Sequence, residues 1–245
     1  MSTSSCSALC HHRAVISFII PAHDEERLIG ETLDALQICI RALAMRCEII
    51  VVDDASTDRT AEIAGERGVR VVGVTHRHIA AARNAGAREA SGEMLMFVDA
   101  DTLVGVDVIR AAHRALLDGA LGGRCGVRLQ GPLGRRLKIA ESFFVWFFRV
   151  TRVAPGCFLF CTRPAFDAVG GFDETWYAGE DVAMSRALAR RGRFVILREA
   201  VMTSARKVQT FSAIEHLRLI VHLAWRGRRL LKSREGLELW YGRRR

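Results

Sequence analysis

Unbroken apolar runs alternate with segments of helical periodicity through the first half of the chain. The apolar runs lack the polar alternation of a half-exposed strand, and their length favours strands buried on both faces. They lie at 14–20, 47–52, 69–74 and 93–98. Apolar residues at helical spacing follow each run, at 26–44, 56–67, 77–90 and 106–117. This repetition predicts an α/β fold with a mostly parallel sheet flanked by helices.

The second half is less regular. An amphipathic helix with an aromatic face is predicted first, followed by a strand, a helix and a short strand, at 133–150, 156–162, 180–192 and 193–197. A helical pattern rich in arginine covers 211–232. We therefore predict a disordered lead-in, one domain of two halves and an amphipathic basic extension. Their ranges are 1–14, 15–205 (halves 15–119 and 120–205) and 206–245.

Composition narrows the class of protein. Half of the 245 residues are hydrophobic, and no apolar run reaches the roughly 18 residues that span a bilayer. The start of the chain lacks the pattern of a signal peptide, and the seven cysteines are scattered. We therefore expect a protein of the reducing cytoplasm. A metal site of two early cysteines and two histidines is the alternative to a disordered lead-in, at Cys6, Cys10, His11 and His12.

The net charge of +9 suits an anionic partner such as nucleic acid, a phosphorylated substrate or an anionic membrane. In the basic extension, arginines alternate with Trp225, Leu230, Leu231 and Trp240. This pattern is typical either of a solvated face or of peripheral contact with the inner face of a membrane.

Carboxylates follow three predicted strands at the point where each ends. They are Asp24, Glu25, Glu26, Asp53, Asp54, Asp99 and Asp101. The carboxyl ends of parallel strands meet at one edge of a sheet, where ligands of such sheets bind. Asp is also common in turns and helix caps, but so many acids at one edge repel each other unless a cation is present. The sequence therefore predicts a divalent metal, Mg²⁺ or Mn²⁺, on oxygen ligands.

A phosphate-bearing ligand would fit that metal. The chain has neither a GxxxxGK[ST] loop nor a GxGxxG motif after the first strand, which argues against P-loop and dinucleotide folds. A diphosphate would then be neutralised by the metal and by an arginine such as Arg83. The alternative is that Arg83 is a solvated helix residue.

Four stretches in register resemble the family-2 glycosyltransferases, which have the GT-A fold. They are IIPAHDEE (19–26), VVDDASTDRT (51–60), AARNAGAREASGEMLMFVDADT (81–102) and GGFDETWYAGEDVAMSRALARRG (170–192). The resemblance covers most of residues 15–195. It implies a nucleotide-sugar donor, UDP- or GDP-linked, and a single sugar transfer, since no QxxRW motif of processive members follows.

The resemblance also implies roles for individual residues. The element that lies against the nucleotide matches Pro21, His23, Asp24 and Glu25. Asp54, or else Asp53, would bind the base. The DxD motif, Asp99, Ala100 and Asp101, would contact the donor. Asp99 would lie near the ribose and Asp101 would coordinate the metal, and Asp99 is a candidate for a second metal ligand.

A later acid pair, Glu180–Asp181, matches the ED motif, whose Asp is the base of inverting members. The alternative is that Asp181 only stabilises a helix N-terminus. We expect a metal-dependent transferase that acts on a hydroxyl of a lipid-linked or cell-envelope glycan. We do not expect nucleic acid as a binding partner. The rival interpretations are a retaining glycosyltransferase, a nucleotidyltransferase and a non-catalytic nucleotide- or membrane-binding protein.

Overall fold

The computed structural model describes residues 15–130 and 157–204. Its strands are β1 (Ile16–Ala22), β2 (Cys47–Asp54), β3 (Arg70–Val74), β4 (Met94–Val98), β5 (Thr102–Leu103), β6 (Gly122–Gln130), β7 (Phe158–Thr162) and β8 (Phe194–Ser204). Its helices are α1 (Ile29–Leu43), α2 (Thr60–Glu66), α3 (Ile79–Glu89), α4 (Val106–Leu117), α5 (Arg163–Val169) and α6 (Glu180–Arg191).

The described strands form one mixed sheet in the order β3-β2-β1-β4-β7-β6-β8-β5. The first four are parallel, with Ala22 of β1 beside Asp53 of β2. β7 is antiparallel to both β4 and β6, while β6 and β8 run parallel. The carboxyl ends of β1, β2, β4 and β8 therefore lie on one edge, which we call the acidic edge.

Two hydrophobic cores lie on opposite faces of the sheet. Odd and even residues of β1 illustrate the division, since Phe18 and Ile20 pack in one core and Ile19 packs in the other. Helices α1, α2 and α4 contribute to the first core, and α3, α5 and α6 contribute to the second. Strands covered on both faces explain the unbroken apolar runs of the sequence.

Helix α3 lies directly on the sheet. Its inner side is built from alanines and Gly86, all buried. A Cβ atom at Gly86 would lie 2.4 Å from Ile19 Cγ2 and 2.8 Å from Val52 Cγ2, so no larger residue fits without a shift of the helix. The small residues thus bring α3 within contact of β1 and β2.

The predicted strands and helices of the first half are confirmed, with ends that differ by a few residues. The predicted mostly parallel sheet is confirmed: β1 to β4 are parallel, as are β6 and β8, and β7 lies between these two groups as an antiparallel strand. Three elements were not predicted: β5, β6 and α5. The start of β6 is hidden by Gly122 and Gly123, which are unfavourable in strands but required here, since a Cβ at either would clash with Phe160.

Some predictions fall outside the described residues. These are the lead-in 1–14, the aromatic helix 133–150 and the basic extension 206–245. No described helix is long and apolar enough to cross a membrane.

Candidate functional site

The loops at the acidic edge are fastened to one another by short polar side chains. Asp24 has φ +51°, a conformation that Asp and Asn tolerate better than most residues. Its Oδ1 accepts hydrogen bonds from the backbone and the hydroxyl of Thr57, at 2.7 and 3.2 Å. The backbone N–H groups of Asp24 and Glu25 donate in turn to Ser56 and Thr60 hydroxyls. The segment predicted to touch the nucleotide is therefore held by the loop after β2.

The other residues of that segment lie in the same place. Pro21 lies next to the last residue of β1 and is half-buried, His23 Nε2 lies 3.4 Å from Asp24 Oδ2, and Glu25 is buried. Glu25 also begins the turn into α1, because its carbonyl accepts from the backbone N–H groups of Leu28 and Ile29. The polar groups of 21–25 thus line the β1 end of the acidic edge.

The two acids at the end of β2 differ in their surroundings. Both oxygens of the buried Asp54 accept backbone hydrogen bonds, from Arg77 at 2.7 Å and His78 at 2.8 Å. Asp53 is half-buried, and its Oδ1 is buried without a hydrogen-bond partner among the described residues. Asp54 therefore holds the start of α3, whereas Asp53 Oδ1 makes no hydrogen bond within the described part of the chain.

Arg83 of α3 joins the DxD motif to the later acid pair. Its guanidinium donates to Asp99 Oδ1 at 2.8 Å and to Glu180 Oε1 at 2.7 Å, and the side chain is 3% exposed. Burial disfavours its charge, but Asp99, Glu180 and Asp181 together raise the pKa of Arg83. Arg83 is therefore not the solvated helix residue of the alternative interpretation, because its guanidinium joins the end of β4 to the start of α6.

The DxD motif forms a turn at the end of β4, closed by a hydrogen bond from Thr102 N to Asp99 O at 3.1 Å. Ala100 is buried, and its carbonyl accepts from the Thr32 hydroxyl. Asp101 is buried as well, with the hydroxyls of Thr102 and Thr203 within 3.5 Å of its Oδ1. The turn therefore presents both acids at the acidic edge, with Asp101 fixed from β8.

Glu180 and Asp181 lie in the first turn of α6, directly after the N-cap residue Gly179. Burial raises the pKa of Glu180 to about 7, against the opposing effect of Arg83. Burial also raises the pKa of Asp181, while Arg83, the Val182 N–H and Arg124 oppose the shift. Burial with a raised pKa is typical of acids at functional sites.

The donor set is compatible with a hard divalent cation. Asp99, Asp101, Glu180 and Asp181 outnumber the two buried arginines near them, Arg83 and Arg124. Among the described residues no group of three His, Cys, Asp or Glu is arranged to hold a metal by itself. An Mg²⁺- or Mn²⁺-like ion bound through one or two carboxylates completes its shell with water and substrate phosphates. The DxD acids fit that type of site.

Sequence reasoning missed three residues that support this site. Arg124 lies on β6, which was not predicted, and burial lowers its pKa against the effect of Asp181. Asn84 and Phe172 connect α3 to the loop before α6. A polar Asn beside Arg83 in an alanine-rich helix was the available signal, since Asn is unfavourable in a helix interior.

This architecture is that of the GT-A fold. A mannosyltransferase from Pyrobaculum calidifontis in complex with GDP-Man and Mn²⁺ superposes with a TM-score of 0.64 and 23% identity, over 76% of this chain and 56% of that one. A glucosyl-3-phosphoglycerate synthase from Mycobacterium tuberculosis, in complex with Mn²⁺ and UDP-glucose, gives a TM-score of 0.59 and 19% identity, over 79% of this chain and 72% of that one. At these identities the likeness establishes the fold.

The family follows from the sequence comparisons. The model of Glycosyl transferase family 2 matches residues 17–166, and the chain belongs to that family. A validoxylamine A glucosyltransferase of Streptomyces hygroscopicus is 30% identical over a match that covers 74% of this chain. The match covers 53% of that relative, so the chain spans about half its length.

Proposed function

We propose that this protein transfers one sugar from a nucleotide-diphosphate donor to an acceptor hydroxyl, with inversion and with a divalent metal. The observation that carries the proposal is the junction made by Arg83. Through its contacts with Asp99 and Glu180, the acids at the strand ends and the acids of α6 form one polar cluster. A donor and an acceptor bound on its two sides would meet at that cluster.

The donor nucleotide binds along 21–25 and the end of β2. Asp53 supplies the acceptor oxygen for the base, because both Asp54 oxygens are already used by backbone N–H groups. The donor is a UDP- or GDP-sugar, as in the two structural neighbours. Asp99 lies between the ribose and the diphosphate, held in place by Arg83.

Asp99 and Asp101 would hold the divalent metal, Mn²⁺ or Mg²⁺. When bound, the metal would neutralise the charge that develops on the leaving diphosphate. The protein's own part is to keep Asp101 oriented through Thr203 and to balance Asp99 with Arg83. Mn²⁺ in both structural neighbours supports this assignment.

Asp181 removes the proton of the acceptor hydroxyl as that oxygen bonds to the anomeric carbon. An alcohol does not ionise at neutral pH, so a base must act during bond formation. Glu180 is turned toward Arg83 at 2.7 Å and is therefore less suited to be the base. One displacement from the face opposite the diphosphate inverts the anomeric centre, as in single-displacement glycoside hydrolysis.

The acceptor is a lipid-linked or cell-envelope glycan, and the enzyme works at the cytoplasmic face of the membrane. This part of the proposal rests on the aromatic segment 133–150 and on the basic extension, with its arginines beside Trp225 and Trp240. Both lie outside the described residues.

The experiment that tests the proposal is product analysis with UDP-glucose and with GDP-mannose, each with and without Mn²⁺. Metal-dependent release of UDP or GDP supports a glycosyltransferase. Release of pyrophosphate from a nucleoside triphosphate and a sugar phosphate would indicate a nucleotidyltransferase instead, and binding without turnover would indicate a non-catalytic protein. The anomeric configuration of the product, by NMR, separates inversion from retention.

A further inference from the structure

We propose that Asn84 is a positioning residue for the reaction, because it fixes the loop that carries the acid pair. This α5–α6 loop, residues 170–179, leads directly into Glu180 and Asp181. The inference rests on the proposed function, since it assigns those two acids to the chemistry. It adds a residue whose side-chain hydrogen bonds, within the described ranges, go to the loop and not to the acid pair.

The buried Asn84 side chain is bonded to the loop through both of its ends. Its Nδ2 donates to the Phe172 carbonyl at 2.9 Å and to Glu174 Oε1 at 2.8 Å. Its Oδ1 accepts from the Phe172 backbone N–H at 2.9 Å. Asn84 thus pairs with Phe172 in the way that one strand residue pairs with another. Such a two-point contact fixes both the position and the orientation of the loop backbone.

Gly171 shows how closely the loop lies against Asn84. Its φ of +75° disfavours any residue with a side chain. A Cβ atom at this position would also lie 2.8 Å from Asn84 Oδ1 and 3.2 Å from Phe166 Cζ. The backbone therefore approaches Asn84 as closely as a glycine allows, and the loop has no room to move toward α3.

Phe172 transmits this placement to the reaction centre. The Arg83 Cζ atom lies 5.2 Å from the centre of the Phe172 ring, within cation–π range. The ring is itself packed edge-on against Phe97 of β4, with centroids 4.9 Å apart. Arg83 therefore rests on a ring whose backbone Asn84 holds, and it extends from there to Asp99 and Glu180.

Near its other end, the same loop meets α3 again. The Tyr177 ring contacts His78 edge-on, with centroids 4.6 Å apart. His78 is the N-cap residue of α3, and its N–H is one of the two held by Asp54. Two contacts thus attach the loop to α3: Asn84 holds the first part of the loop, and His78 packs against Tyr177 in its last part. Together they restrict the positions of Glu180 and Asp181.

The test uses the full chain with Asn84→Asp and a matched control, Glu174→Gln. Asn84→Asp keeps the shape and the Oδ1 acceptor but replaces the donor with an oxygen that faces the Phe172 carbonyl and Glu174. Hydrogen exchange of residues 171–180 should speed up. The turnover number for UDP release from UDP-glucose, or GDP release from GDP-mannose, should fall about 10- to 100-fold, as for a small misplacement of reacting groups. The donor KM should change by about twofold or less.

The control and the rescue separate positioning from stability. Glu174→Gln alone should leave exchange and turnover as in the wild type, because Asn84 keeps both bonds to Phe172. Adding Glu174→Gln to Asn84→Asp removes one charge repulsion and should recover part of the lost turnover. Unchanged loop exchange, wild-type turnover in Asn84→Asp, or a loss confined to thermal stability would overturn the proposal. If Asn84→Asp does not fold, Phe172→Leu tests the same path, with slower turnover expected and wild-type turnover against it.

The exchange measurement also separates this inference from the proposed function. If the wild type releases no nucleotide from either donor, the proposed function fails. Faster exchange in Asn84→Asp would still show that Asn84 holds the loop, whereas unchanged exchange would overturn that as well.

Discussion

Replacing Arg83 with methionine should destabilise the protein, and more so at pH 8 than at pH 6. Methionine fills much of the same space but leaves Asp99 and Glu180 without their cation. Because the Arg83 side chain is 3% exposed and that of Glu180 is 8% exposed, water cannot replace the lost contacts. The variant should therefore be less stable, because its buried carboxylates repel each other without a neutralising cation.

The size of the effect follows from burial and charge. Removing one partner of a buried ion pair costs about 3–5 kcal/mol, and here one arginine serves two carboxylates. Burial already raises the Glu180 pKa from 4.5 to about 7, so the folded state binds its proton more tightly than the unfolded chain. Stability contributed by that proton is present at low pH and is lost as pH rises from about 4.5 to about 7.

Without Arg83 the folded pKa of Glu180 should rise further, since Arg83 opposes the shift. The loss of stability then continues to higher pH in the variant than in the wild type. Each additional pKa unit widens the difference in unfolding free energy by about 1.4 kcal/mol. We expect the difference between the two proteins to grow by about 1–2 kcal/mol from pH 6 to pH 8.

The assay is urea unfolding at pH 6, 7 and 8 in the absence of divalent metal. Arg163→Met is the matched control, because Arg163 donates to three backbone carbonyls, of Ala87, Ala90 and Gly92, and to no carboxylate among the described residues. Its loss should lower stability by a similar amount at each pH. If the Arg83→Met penalty is also independent of pH, the reasoning about Glu180 is refuted.

Further outcomes are expected for the other assigned residues and for the basic extension. Asp101→Ala should fold but lose the Mn²⁺-dependent thermal stabilisation by UDP-glucose or GDP-mannose; retained stabilisation would contradict the metal assignment. Asp53→Asn should weaken nucleotide binding, measured by calorimetry, with little change in stability. Asp54→Ala should lower the free energy of unfolding by about 1–3 kcal/mol for each N–H left unbonded, measured as a lower urea midpoint. Asp181→Asn should keep donor affinity while turnover falls by about 10²–10⁴-fold, and full turnover would place the base elsewhere. The intact chain, with its basic residues at 206–245, should sediment with anionic vesicles less strongly as salt rises, and equal sedimentation with neutral vesicles would argue against this.

The regular part of the fold was predictable because it rests on local periodicity. The run at 47–52 and the spacing at 106–117 correspond to β2 and α4. The strand β6 was not predictable in this way, since Gly122 and Gly123 are set by contact with Phe160, which is distant in sequence. Tertiary packing there overrides local propensity.

In the candidate site, too, some features could be predicted from local sequence and others depend on tertiary contacts. The acids at the ends of β1, β2 and β4 could be proposed from the sequence, because they cluster where strands end, and Glu180 and Asp181 could be proposed from the resemblance. Their partners could not, since the contact between Arg83 and Glu180 joins residues 97 positions apart. The choice between Asp53 and Asp54 likewise depended on the N–H groups of Arg77 and His78, which no spacing in the sequence reveals.

The close packing of α3 against the sheet limits which substitutions this protein can accept. Gly86 admits no Cβ against Ile19 and Val52, and the two residues just before it on the helix, Asn84 and Ala85, follow Arg83. Any substitution that thickens this layer would lift the helix and carry the arginine with it. Core positions 19, 52 and 86 are therefore expected to vary together rather than singly.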